Sequence, residues 1–219
     1  MNSGLSLTGS QNIMQTIPVG VGLLRGSRLA YGCWRVAGSW NPADVTDASR
    51  AAGRRAAITA YEAGYTLFDN ADLYCGGEAE RILGQVLKEV SGMRDQVVIV
   101  TKGGIRPAGD PQPDSPGRYD FSASHLISAC EQSLCRLGIE TIDLYLLHRP
   151  DFLADPEEVA QAFSELKAAG KVRYFGVSNF VRPWSPHSKR PVRCRSWRTR
   201  SKSASPNWMR SPMAHSINA

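Results

Sequence analysis

QVVIVTK (Gln96–Lys102) runs through four apolar β-branched residues and closes on a lysine. A strand that is apolar at consecutive positions, rather than at alternate ones, is buried on both faces, which is the pattern of a parallel sheet covered by helices. The sequence on either side repeats the theme. Upstream, TLFDN (66–70) reads as a strand and GGEAERILGQVLKEV (76–90) as a helix, with Ile82, Leu83, Val86, Leu87 and Val90 at helical spacing. Downstream, SASHLISACEQSLCRLG (122–138) is predicted to be a helix with Ser122 as N-cap and Gly138 as its stop. IDLYLLH (142–148) follows as a strand, and DPEEVAQAFSELKAAG (155–170) as a helix capped by Asp155 with Pro156 in its first turn. VRYFGVSN (172–179) is a further strand, while RLAYGCW (28–34) and the segment from about Asp47 to Ala63 supply the first strand and first helix. Five strands separated by four helices indicate a parallel α/β sheet, either doubly wound or part of a (β/α)8 barrel. Both architectures gather their chemistry at the C-terminal ends of the strands.

Composition narrows the class of protein. The chain has 219 residues, 42% hydrophobic and 21% charged, as an ordinary globular protein does. No apolar run is long enough for a membrane span, and MNSGLSLTGSQNIMQT (1–16) lacks the basic-then-apolar pattern of a secretory signal. Five cysteines, odd in number and without a C-x-x-C pair, favour reduced thiols over disulfides or a zinc site. A cytoplasmic protein with no bound metal is expected. GVGLLRG (20–26) departs from a dinucleotide fingerprint, because Arg25 stands where the third glycine belongs and no strand precedes it. It reads instead as a turn or hairpin leading into the first strand. RPAGDPQPDSPGRYD (106–120) reads as a long surface loop after the third strand, flanking the site.

The polar residues that close the strands form a pattern. Asp69 ends the second strand with Tyr74 just beyond it; Lys102 ends the third, His148 the fourth, and Ser178 and Asn179 the fifth. Taken singly, such an aspartate is usually a turn former, such a lysine a solvated rim residue and such a histidine a structural one. Together, at one rim, they are costly unless they pair or work. An ammonium beside a phenol favours the phenolate, and a carboxylate on the lysine keeps it charged and oriented. A tyrosine so placed can give a proton to a carbonyl oxygen as that oxygen gains charge, with a neutral histidine directing the carbonyl. The missing reagent is a hydride donor, which no side chain supplies and a nicotinamide cofactor does.

Carrying these residues, the chain closely resembles the aldo-keto reductases, and within them the bacterial oxidoreductases of the YdhF type. The matching stretches are YGCWR, FDNADLYCGGEAERILGQVLK, IVTKGGI, DLYLLHRPD and GKVRYFGVSNF, in that order from about residue 28 to 180. The resemblance implies a (β/α)8 barrel that reduces aldehydes or ketones with NADPH. It implies that Tyr74 is the general acid, that Lys102 and Asp69 tune it, and that His148 orients the carbonyl. Further cofactor contacts would come from Gly32, Cys33, Trp34, Arg35, Asp69, Ser178 and Asn179. The substrate pocket would be walled by Trp34, Tyr74 and His148.

The chain divides into two kinds of sequence. Residues 1–180 carry a net charge of −3, whereas 181–219 hold nine Lys or Arg and no Asp or Glu, with five prolines and eight serines. The tail is expected to be disordered. The family's last three strand–helix units, with the residues they place on the cofactor, have no match after Phe180. The tail is expected to reflect an altered reading frame, and the chain is then expected to be impaired, with open sheet edges available for self-association. The competing readings are a non-catalytic scaffold that binds a cofactor or partner, and a basic appendage that binds nucleic acid, the latter disfavoured for want of a structured motif.

Overall fold

The structure, a computed structural model, describes residues 14–20 and 24–180. The basic tail at 181–219, with the disorder read for it, lies outside the described residues.

A short antiparallel hairpin, β1 (Thr16–Val19) and β2 (Leu24–Ser27), opens the described chain; the hairpin agrees with the reading of GVGLLRG, but β1 ends just before Gly20, where the sequence reading placed no strand. The alternating units then follow: β3 (Tyr31–Gly32), α1 (Asp47–Glu62), β4 (Leu67–Asp69), α2 (Glu78–Glu89), a single turn α3 (Met93–Gln96) and β5 (Val98–Gly103). After the small ribbon β6 (Ile105–Arg106) and β7 (Arg118–Tyr119) come α4 (Ala123–Leu137), β8 (Ile142–Leu147), α5 (Pro156–Ala168) and β9 (Val172–Val177). The five central strands pair in parallel in the order β3-β4-β5-β8-β9.

That order decides between the two architectures. A doubly wound sheet reverses its strand order at a switch point and carries helices on both faces. Here every β/α unit lies beside its predecessor, and all four long helices cover one face. Ala57 of α1, Leu83 of α2, Leu134 of α4 and Phe163 of α5 pack with Phe68, Ile99 and Tyr145 of the sheet. The alternate strand residues Leu67, Val98, Val100, Leu144 and Leu146 form a second cluster on the opposite face, together with Val19 of the hairpin. One-sided helices around a consecutively ordered parallel sheet are the architecture of a (β/α)8 barrel, seen among the described residues as four β/α units and a fifth strand.

Local chemistry explains the elements. Thr46 and Ser49 close a reciprocal capping box at the start of α1. Asp155 accepts from the Glu157 amide at 2.8 Å, with Pro156 opening α5. One sequence reading holds in position only, and another needs correction. Ser122 occupies the N-cap position of α4, but its hydroxyl donates to Asp120 at 2.6 Å instead of capping the helix. The first strand is shorter than 28–34: only Tyr31 and Gly32 pair, opposite Phe68 and Asp69. The chain then turns through a 3-10 helix at Cys33–Arg35. The loop at 106–120 is pinned at its base by the β6–β7 ribbon and by Arg106, which contacts Asp120 at 2.6 Å and Asp110 at 3.1 Å.

Candidate active site

The period of two along each strand fixes which side chains meet at the rim. Leu67 faces the barrel interior, so Asp69 does; Val98 and Val100 do, so Lys102 does; Leu144 and Leu146 do, so His148 does. Tyr174 sets Ser178 on the same side. The rims are aligned by main-chain bonds from His148 N to Gly103 O at 3.0 Å and from Ser178 N to Leu147 O at 2.9 Å. Asp69, Lys102, His148 and Ser178 are all buried.

Lys102 organises the site. Its ammonium lies 2.8 Å from Asp69 Oδ1 and donates to the Asn70 carbonyl at 2.9 Å and to the Tyr74 hydroxyl at 3.1 Å. An ammonium has three N–H bonds and no lone pair, so each N–H has one acceptor and the head group is fixed. The Tyr74 oxygen therefore accepts from Lys102, which turns the phenolic proton away from the lysine and toward whatever occupies the site. Tyr74 reaches this position because the chain after β4 makes a tight descent. Cys75, Gly76 and Gly77 all have positive φ, and the Asp72 amide bonds the Lys102 carbonyl at 3.1 Å.

His148 stands beside Tyr74, with ring centroids 5.8 Å apart at 75°. Burial, reinforced by the charges of Lys102 and Arg149, pushes its imidazole down to about 3, so it is neutral near pH 7. Its Nδ1 is buried without a hydrogen-bond partner. Asn179, at φ 62°, donates from its amide to the His148 carbonyl at 3.0 Å and to Ser178 Oγ at 2.9 Å. Gly32, opposite Asp69 in the ladder, borders open space: a Cβ added there would meet nothing within 4 Å. Trp34 and Arg35 are exposed beyond it. The Cys33 thiol is instead fully buried in the helix-side core, where burial drives its ionisation far up, so only its main chain can face a ligand.

Three features escaped sequence reasoning. The Asn70 main-chain carbonyl is the third acceptor of Lys102, a role that carries no residue-type signature. Asp72 has a buried carboxylate oxygen without a hydrogen-bond partner, and burial, with the charge of Glu80 next, pushes its carboxyl up to about 8. Trp40 has its ring 6.2 Å from that of Tyr74. The only signal for it was an aromatic residue in the loop after the first strand.

Residues 28–185 match the family model described as the aldo/keto reductase family. The chain belongs to that family. It is 44% identical over 159 residues to the 6-dehydroglucose reductase of Agrobacterium fabrum, covering 72% of this chain and 51% of the relative. It is 43% identical over 118 residues to the oxidoreductase YdhF of Escherichia coli, covering 54% of this chain and 39% of that one. Among solved structures, the holo form of the aldo-keto reductase AKR11C1 from Bacillus halodurans superposes with a TM-score of 0.64 at 30% identity, covering 76% of this chain and 51% of that chain. The chain spans about half the length of the curated relatives it matches.

Proposed function

We propose that the chain is an NADPH-dependent oxidoreductase that reduces an aldehyde or ketone to the alcohol, with Tyr74 as general acid. The observation that carries this reading is the buried Lys102 ammonium held between Asp69 and the Tyr74 hydroxyl. Tyr74 gives its proton to the carbonyl oxygen as negative charge develops there, and Lys102 stabilises the phenolate left behind. Asp69 keeps Lys102 charged and aimed. His148, neutral, donates one hydrogen bond that sets the carbonyl's direction.

The nicotinamide end of a cofactor fits the residues present. Ser178 Oγ accepts from Asn179, which leaves the serine O–H to donate and the asparagine oxygen to accept, the complement of a carboxamide. Gly32 offers a surface on which no side chain intrudes, with the main chain of Cys33 and the side chains of Trp34 and Arg35 beside it. Bound there, the reduced nicotinamide supplies the hydride. The choice of NADPH rests on the family resemblance.

The test pairs binding with turnover in the purified full chain. Replacing Tyr74 by Phe is expected to lower benzaldehyde reduction by about 100-fold or more, while the Kd for NADPH changes by less than about threefold, or about 0.65 kcal/mol. Turnover that survives in Y74F would remove Tyr74 from the proton-delivery role.

A further inference from the structure

The two tryptophans at the rim form a run of ring contacts that ends on the proposed acid. Trp34 and Trp40 meet edge to face, with centroids 5.9 Å apart at 78°, and Trp40 in turn lies 6.2 Å from Tyr74 at 55°. Both indoles are large apolar surfaces left about half exposed, 54% for Trp34 and 47% for Trp40. An exposed indole on a mobile loop would mean little. This one is braced. Ser39 Oγ donates to Asp44 at 3.1 Å and accepts from the Asn41 amide at 3.1 Å. Asn41 Oδ1 accepts from the Ala43 amide at 3.1 Å, and its side-chain amide donates to Asp44 at 3.4 Å. Pro42 closes on Gly76, two residues beyond Tyr74, so tightly that a Cβ there would come within 2.7 Å of the proline ring. The bracket ties the Trp40 loop to the loop that carries Tyr74.

We infer that Trp40 is a specificity-determining residue for the proposed reduction, presenting a fixed aromatic face beside Tyr74 that selects carbonyls borne on a flat ring. This rests on the reductase reading of the site. A planar substituent stacks against the indole, or meets it edge-on, while its carbonyl reaches the Tyr74 hydroxyl; a short aliphatic aldehyde has no surface to offer there. Trp34, nearly perpendicular to Trp40, closes the corner. The indole acts on binding and orientation and transfers no proton.

The experiment compares the full chain with W40A and W40F, using benzaldehyde and acetaldehyde as probes. Benzaldehyde Kd, measured by calorimetry, is expected to weaken roughly fivefold to tenfold in W40A and to stay within about threefold of wild type in W40F. The ratio of kcat/KM for benzaldehyde over acetaldehyde is expected to fall by about the same factor in W40A, through KM more than kcat. A benzaldehyde Kd unchanged in W40A would overturn the inference, whether or not turnover is seen. Absence of turnover of either aldehyde by the wild-type chain would instead count against the reductase reading, and the Kd comparison would still decide the role of Trp40.

Discussion

Lys102 is buried, and its charge is tolerated because Asp69 lies 2.8 Å away and two further acceptors complete its hydrogen bonds. Removing only the cation leaves the Asp69 carboxylate buried beside no partner. K102M is therefore expected to destabilise the chain by about 3–5 kcal/mol, and the D69N/K102M double variant by less than the two single losses together; urea denaturation of the four proteins checks this. Two other buried groups oppose one another in pH. His148 is held down to about 3, so between about pH 6.5 and pH 3 the unfolded chain binds the extra proton and stability falls as pH falls. Asp72 is pushed up to about 8, so between about pH 4 and pH 8 the folded chain binds the extra proton and stability falls as pH rises. The two slopes partly cancel where they overlap. Relative to wild type, D72N is expected to lose the alkaline fall and expose the acid one, and H148Q to do the reverse, in denaturant midpoints measured across that range. If the two variants shift the profile in the same direction, the assignment of these burials is wrong. The charged residues of the site were legible in the sequence because they end apolar strands at one rim. Asn70 was not, since its contribution is a carbonyl that every residue has.

The elements were legible where one physical signal dominates: unbroken apolar runs for β5 and β8, and Asp155-Pro156 for the start of α5. They were less legible where pairing decides. β3 pairs over only two residues before the chain turns at Cys33, whose side chain goes into the core rather than along the rim, which no local pattern announces. Helix packing gives a sharper test of the same point. Gly84 lies inside α2, where propensity alone predicts that alanine would stabilise by about 1 kcal/mol. A Cβ there would stand 2.7 Å from the carbonyl oxygens of Arg136 and Leu137 at the end of α4, and backbone cannot yield as a side chain does. G84A is expected to destabilise by about 1–3 kcal/mol. A rise in thermal midpoint on making G84A would show that α2 and α4 are packed less closely than described.

At the scale of the molecule, the one-sided helices and the consecutive order of five parallel strands make the barrel interior a single face. That face brings Asp69, Lys102, His148 and Ser178, from four different strands, to one rim. The sequence could not choose between a doubly wound sheet and a barrel from its strand–helix alternation, because both share it; only strand order and helix placement separate them. Nor could it place Trp40 beside Tyr74, a contact made by two loops that the neighbouring strands β3 and β4 carry to the same end. The proposed chemistry at that end rests on Tyr74 giving up a proton while hydride arrives from a nicotinamide. The most direct measurement follows that hydride: incubate the full chain and Y74F with benzaldehyde and NADPH deuterated at the transferable position, then weigh the benzyl alcohol formed. One deuterium on the alcohol carbon from the wild-type chain, with about a hundredth of that rate or less from Y74F, is the expected result. Label absent from the wild-type product, or formed by Y74F at the wild-type rate, would contradict it.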